Sequence, residues 1–447
     1  MKAAAVADFQ LQHFYHGQVV IAGKPQGELQ PLAASEGIAP AHIADAMQEA
    51  RIPPMPDRPD GAWGLLRGKV APFYLVQAQA LPGGQALRHV ILMPVDVLRA
   101  LGGNLTALGT LIQPSLPTFE RAGEPLALLP LVQAGFPTTD AQERAMLNLM
   151  NYTRDRPDVI ETLLAALIQG VLIVVIGAPP ERAERAAFIE GLLALLPPPA
   201  RFGVTFTTHA SGATPLDAQI RFINDAPPER TVVFDWEAAK VSGVRVRDEY
   251  ARFIKSQLRL SITQVIGQTG ALAAVASWRM RRGEKLADAL RYASYRRKID
   301  DALISGLPVE TPEVARILGE DPTLSDELRV VYVKHLMAFA LALEEVAHSD
   351  LLATAARGQP DLERVILSQM EEALAQGKAD RVYKRLSRWM RNPLGFRGMY
   401  WTDLLHRSAI SFATMLAKDG DAEKLHLFLE QFRTVHSDTQ IDSIVPQ

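Results

Sequence analysis

The 447-residue sequence has no cysteine. Disulfides, thiolate nucleophiles and sulfur-ligated zinc sites are therefore excluded. The composition fits a reducing, cytoplasmic setting. A long apolar run is also missing. The longest, Leu163 to Gly177, is broken by Gln169 and falls short of the roughly 20 residues that a spanning helix needs. The opening MKAAAVADFQLQHFYHG carries no apolar leader core, so neither a signal peptide nor a membrane partner is expected. Neither sign of charge is in excess: 47 Lys and Arg face 50 Asp and Glu, a formal net charge of −3. Global charge therefore selects neither nucleic acid nor a membrane surface.

Proline is scarce in the second half. Of 30 prolines, 24 lie at or before Pro228, and none occurs from Glu229 to Leu307. Proline suits loops and strand edges but breaks helix interiors. The distribution predicts an α+β multidomain chain: a strand-rich α+β N-terminal domain (1–150), a small α/β middle domain (151–257), and an all-helical C-terminal half (258–440). The last seven residues, 441–447, read as a frayed tail.

In the first domain, FQLQHFYHGQVVIA and APFYLVQAQALPGGQALRHVILM read as strands, with Pro82-Gly83-Gly84 marking a hairpin. APAHIADAMQEA reads as a short helix and the proline-rich stretch 51–61 as a loop. In the second, Pro157 suits a first helical turn. VLIVVIG, RFGVTFTT, QIRFIN and TVVFDW read as strands around the helix ERAERAAFIEGLLALL. In the third, LSDELRVVYVKHLMAFALALEEVAH reads as one long helix capped by Ser325. ALAQGKADRVYKRLSRWM and MLAKDGDAEKLHLFLEQF look alike, with Ala379 and Ala422 each two residues after a glycine. A period of that length suits a helical-repeat array, and an irregular bundle is the alternative.

Five places invite a chemical reading. After Gly177 comes Ala178-Pro179-Pro180-Glu181. A phosphate loop needs converging N–H donors and a Gly-Lys-Ser/Thr, which this stretch lacks, so it reads as a strand-to-helix connection. His13 and His16 are three apart in a predicted strand and face opposite ways, so no metal is expected there. Thr207, Thr208, His209, Ser211 and Asp217 gather hydroxyl, imidazole and carboxylate near a strand end. They suit a ligand or partner loop, or a hydrolase around His209, although no Gly-x-Ser-x-Gly elbow is present. Two stretches are basic. Residues 278–298 hold eight Lys/Arg against two acids, including Arg279, Arg281, Arg282, Arg291, Arg296 and Arg297. Residues 381–397 hold six and no acid, with Arg381, Lys384, Arg385 and Arg388 expected opposite the face of Val382, Leu386 and Trp389. Both read as candidate partner-binding surface.

LQHFYHGQ, LAASEGI and PFYLVQAQALPGG, then LLALLPPPARFGVTFTTH, RFIND and VVFDW, resemble the bacterial GTPase-associated protein family 1. The resemblance covers roughly residues 9–257, and the arginine-rich helical half lies outside it. It implies an adaptor working beside a GTPase or related NTPase in multi-component bacterial defence or conflict systems. That family has no established active site, so no catalytic residue carries over.

The expectation is a non-enzymatic adaptor without a cofactor, docking a protein partner through charged helical surfaces. The alternatives are a nucleic-acid-binding regulator that uses the same arginines, and a hydrolase near His209.

Overall fold

The computed structural model of the chain describes residues 7–55, 61–82, 85–342, 346–391 and 396–435. The chain forms two compact units, the first ending at Ser294 and the second beginning at Tyr295.

In chain order the first unit carries β1 (Ala7–Leu11), β2 (His13–Ile21), β3 (Lys24–Ser35), α1 (Pro40–Glu49), β4 (Ala62–Arg67), β5 (Phe73–Ala80) and β6 (Ala86–Leu92). Then come α2 (Val95–Leu101), α3 (Leu105–Gly109), β7 (Glu124–Leu126), β8 (Leu129–Ala134), α4 (Thr139–Tyr152) and α5 (Pro157–Gln169). β9 (Ile173–Ile176), α6 (Arg182–Ala194), α7 (Pro198–Arg201), β10 (Phe206–Ala210), β11 (Ile220–Ile223), β12 (Val232–Asp235) and β13 (Lys240–Gly243) follow. α8 (Glu249–Leu258), α9 (Ile262–Ala271), α10 (Ala273–Arg281) and the first part of α11 (Leu286–Ile304) complete the unit.

Eleven strands form one sheet in the order β13-β12-β9-β11-β10-β4-β5-β6-β2-β3-β7, while β1 and β8 pair separately. β12, β9, β11 and β10 run parallel, and β4, β5, β6, β2 and β3 run antiparallel. The two parts meet where β10 pairs antiparallel with β4, Phe206 opposite Leu65 and Thr207 opposite Gly64. Central strands are apolar on both faces because both faces are covered. Leu65, Leu75, Ile91, Ile173 and Val175 belong to one core with α5 and α6; Leu66, Val76, Val90 and Val174 belong to another, with Ala46 of α1. Thr205 and Thr207, on the face opposite Phe206, are buried for the same reason.

The division near residue 150 is therefore not where the compact units part. A parallel sheet ending at β10 would leave a row of edge amides unpaired, and β4 supplies their partners. Nor do the helices after residue 257 all belong to the second unit. Tyr250, Phe253, Val265, Leu272, Val275 and Leu290 of α8–α11 pack into the first unit's core. Side-chain caps start several of these helices: Asp248 accepts from Ala251 N and Ser261 from Gln264 N. The β5–β6 hairpin forms as expected, with Ala80 opposite Ala86. Its Gly83 and Gly84, and the tail 441–447, lie outside the described residues.

The second unit holds the rest of α11, then α12 (Thr311–Glu320), α13 (Asp326–Ala342), α14 (Val346–Ala356), α15 (Pro360–Ala375), α16 (Ala379–Arg391), α17 (Met399–Lys418) and α18 (Ala422–Val435). Ser325 does cap α13, accepting from Leu328 N at 3.3 Å. Of the single long helix expected over 324–348, α13 covers Asp326–Ala342 and α14 begins at Val346; residues 343–345 lie outside the described residues. Helices pack on the next and on the next but one: α12 on α13 and α14, α13 on α14 and α15, α15 on α16 and α17. The two similar stretches are the α15–α16 and α17–α18 turns. Gly377 and Gly420 adopt left-handed φ of 80° and 70°. The next residue closes the helix each time, Lys378 N to Ala373 O and Asp421 N to Leu416 O. This is the same glycine C-cap used twice. Val382, Leu386, Trp389, Leu404 and Phe432 lie in the unit's own core.

A Cβ on Gly64 would lie 2.3 Å from Phe206 O and 2.9 Å from Thr207 Cα. Gly64→Ala should lower the unfolding free energy by about 3 kcal/mol in a denaturant titration. Gly109→Ala, where a Cβ meets nothing within 4 Å, should cost less than about 1 kcal/mol. Equal effects would contradict the tight approach of β4 to β10.

Candidate functional site

In open parallel sheets, ligands bind beyond the carboxyl ends of the strands. Here that edge is formed by Gly177–Pro180 after β9, Ser211–Gly212 after β10 and Asn224–Asp225 after β11. Arg185 lies one helical turn before Phe188 and Ile189 of α6, on the buried face. Its guanidinium donates from Nε to Pro179 O (2.7 Å), from Nη1 to Thr208 O (2.6 Å) and from Nη2 to Ala178 O (3.2 Å). It also sits 5.4 Å from the Phe222 ring centroid. A phosphate cradle presents N–H donors to an anion. This edge presents carbonyls to a cation that the chain itself supplies, and Arg185 is only 2% exposed.

The strand-end residues are used in the same structural way. Thr208 Oγ1 accepts from Trp63 N and donates to Trp63 O, both at 3.0 Å. Thr207 Oγ1 donates to His209 O at 2.7 Å. Ser211 Oγ donates to Asp225 Oδ2 at 2.7 Å, and Gly212 N donates to Oδ1 at 2.8 Å. These bonds hold the Asp225 carboxyl below its usual pKa, the Gly212 amide contributing most. Burial, and then Arg185, push the His209 imidazole below its usual value. His209 Nδ1 is buried without a partner. Among the described residues no hydrogen bond joins Ser211 to His209, so the structure does not assemble a hydroxyl–imidazole–carboxylate relay there. Asp217 lies instead within the electrostatic reach of Arg221.

Most of the basic residues are compensated within the chain. Arg279 pairs with Glu284 at 2.7 Å and lies 4.2 Å from the Tyr292 ring centroid. Arg282 packs on Trp278, Arg291 pairs with Asp288, and Arg297 with Asp301. Arg281 lines a cavity of about 430 Å³ with Arg99, Phe136 and Phe202. In the second stretch Arg388 pairs with Asp350 at 2.6 Å and Lys384 lies 4.0 Å from Asp380, while Arg381 is exposed.

Arg296 and Arg385, expected on the surface, are instead 3% and 2% exposed. Arg296 donates to Asp321 (2.9 Å) and Thr323 (2.7 Å) and lies 3.4 Å from Asp300. Arg385 donates to Ala340 O at 2.6 Å. The reason is helical spacing: Arg385 is three residues after Val382 and four before Trp389, on their face rather than opposite it. The sequence carries that signal.

A histidine pair on the other part of the sheet was not foreseen. As the strand spacing predicts, His13 and His16 face opposite ways: His13 pairs in register with Ile91 and His16 with Arg88. His13 Nδ1 lies 2.8 Å from His89 Nε2, and His13 Nε2 lies 2.9 Å from Ala127 O. A carbonyl only accepts, so Nε2 of His13 carries its proton and Nδ1 accepts from His89 Nε2–H. His89 Nδ1 is then deprotonated, and it is buried without a partner. Tyr15 stacks on His89 at 4.4 Å between centroids, and its hydroxyl accepts from Gln113. Burial, then His13, push His89 down to about 3. The two rings hydrogen-bond to each other. Among the described residues no group of three or more His, Asp or Glu side chains is placed to hold a metal, and no helix is long and apolar enough to cross a membrane.

In comparison with known proteins, the chain matches no family model and no curated protein.

Two outcomes test this description. Arg185→Met leaves three carbonyls without their donor and should cost about 3 kcal/mol of stability or more in a denaturant titration. A loss below about 1 kcal/mol would contradict the role given to Arg185. His89 has a folded pKa below its usual value of 6.5, so protons favour the unfolded state. Its contribution is complete above pH 6.5 and is lost as pH falls toward 3, at about 1.4 kcal/mol per pH unit. His89→Gln should remove that share of the slope between pH 6 and 4, and an unchanged slope would contradict the buried neutral ring.

Proposed function

We propose that this chain is an adaptor that docks a protein partner on its helical second unit. The observation that carries the reading is the packing of α12–α18, mostly helix on nearby helix along the chain, with one glycine cap repeated. Chains of helical hairpins stacked on their neighbours act mainly as extended binding surfaces. That unit also leaves large apolar side chains in solvent: Met399 and Tyr400 at the start of α17 are 76% and 70% exposed, and Leu427 of α18 is 55% exposed. Aromatic and methionine side chains are the usual anchors of an interface. The resemblance to GTPase-associated protein family 1 supports a GTPase or other NTPase as the partner, in a bacterial defence or conflict system. A nucleic-acid reading needs cations free to meet phosphates, and the ion pairs of Arg388, Arg291 and Arg297 reduce that supply.

The test is co-expression of the full chain with a GTPase or P-loop ATPase encoded beside it, followed by size-exclusion chromatography. A stoichiometric complex is expected, weakened about tenfold or more by Tyr400→Asp combined with Leu427→Asp, with circular dichroism unchanged. A complex untouched by those substitutions would contradict the docking surface. Binding to duplex DNA that falls steeply with salt would contradict the adaptor reading.

A further inference from the structure

A cleft of about 590 Å³ opens on the first unit between the end of α1, the start of β6 and the loop after β10. Its lining includes Met47, Gln48, Arg51, Gln85, Arg88 and Thr214. Arg88 is 4% exposed. It stands on β6 opposite His16 of β2, and its Nε and Nη2 both donate to Ile52 O at 3.3 Å. A guanidinium has five N–H donors, and one carbonyl at long range uses only a fraction of them. Among the described residues no carboxylate pairs with Arg88 or Arg51. Two acids of α1 are engaged elsewhere: Glu49 with Lys69, and Asp45 with the Lys69 and Val70 amides and Tyr74.

A buried cation without a counter-ion is costly, and a second cation beside it makes it more so. The strain registers on two groups. Arg88 is pushed down to about 10 by burial and then by Arg51. His16 is pushed down to about 4 by burial, then by Arg88 and Arg51. His16 Nδ1 is buried without a partner. Two other buried arginines are held differently: Arg185 by three carbonyls, Arg296 between two carboxylates. Arg51 and Arg88 have no such carboxylate among the described residues, and both line the cleft.

We propose that the cleft bounded by Arg51 and Arg88 binds the phosphoryl group of a small molecule. Two guanidiniums match a dianionic phosphoryl group in charge and in fork geometry. Gln48, Gln85 and Thr214 add neutral donors and acceptors at the rim. The volume suits a ligand of nucleotide size. This site is independent of the adaptor reading, which concerns the second unit.

The test is thermal unfolding of the full chain with inorganic phosphate and with pyrophosphate, each against sodium chloride of equal ionic strength, and with citrate as a carboxylate control. A saturable rise in Tm with pyrophosphate beyond that with chloride is expected. Arg51→Gln, at an exposed position, should keep the ligand-free fold and weaken the response about tenfold. Arg88→Lys, which keeps the charge and removes the fork, should weaken it as well. No saturable response, or one undiminished in both variants, would overturn the site. Saturation by citrate without either phosphate would overturn the phosphoryl assignment.

Discussion

At the junction of β10 with β4 one hydroxyl takes the place of a strand residue. Thr208 Oγ1 both accepts from and donates to the main chain of Trp63. Beside it, Gly64 lets the two backbones approach more closely than a Cβ would allow. Without this seam the parallel strands would end in an open edge, and β4 would too. With it, eleven strands share one sheet, and its two faces collect the apolar sides of helices from α1 to α11. The seam makes residues distant in the chain into neighbours, and it determines what the residues next to it can still do.

Those residues are the ones whose chemistry drew notice in the sequence. Thr207 and Thr208 are committed to backbone groups, and Ser211 to Asp225. Arg185 fills the space between the loops after β9 and β10. The edge where α/β proteins commonly bind ligands is here a buttress for the join. Unspent charge lies instead in the cleft beside α1 and β6, at Arg51 and Arg88, which belong to the antiparallel part.

The fold class was legible because proline and apolar periodicity act locally. Pro157 starts α5, and the stretch from Glu229 to Leu307 runs largely into helices once β13 is passed. The union of the first two expected domains was not legible. It depends on pairing between Gly64 and Thr207, and nothing in a linear pattern names a strand's distant neighbour. The same holds for the histidines. His13 and His89 become partners only because β2 lies beside β6. Arg385 and Arg296 are a different case: their positions on apolar helical stripes were readable, and their charge drew the reading outward. Arg88 stood in an apolar strand, ALRHVIL, and only the missing counter-ion gives it meaning.

The second unit is built on other rules. Its helices pack mostly on those nearby in the chain, and its core forms from Val382, Leu386, Leu404 and Phe432 without a sheet. Among the described residues strand pairing lies in the first unit, and its cooperativity rests on the β10–β4 seam. Native-state hydrogen exchange at the amides of Val76 on β5 and Val174 on β9 tests this most directly. One sheet joined at the seam predicts that both open with the same free energy, within about 1 kcal/mol. Separate opening of Val174, several kcal/mol below Val76, would contradict it.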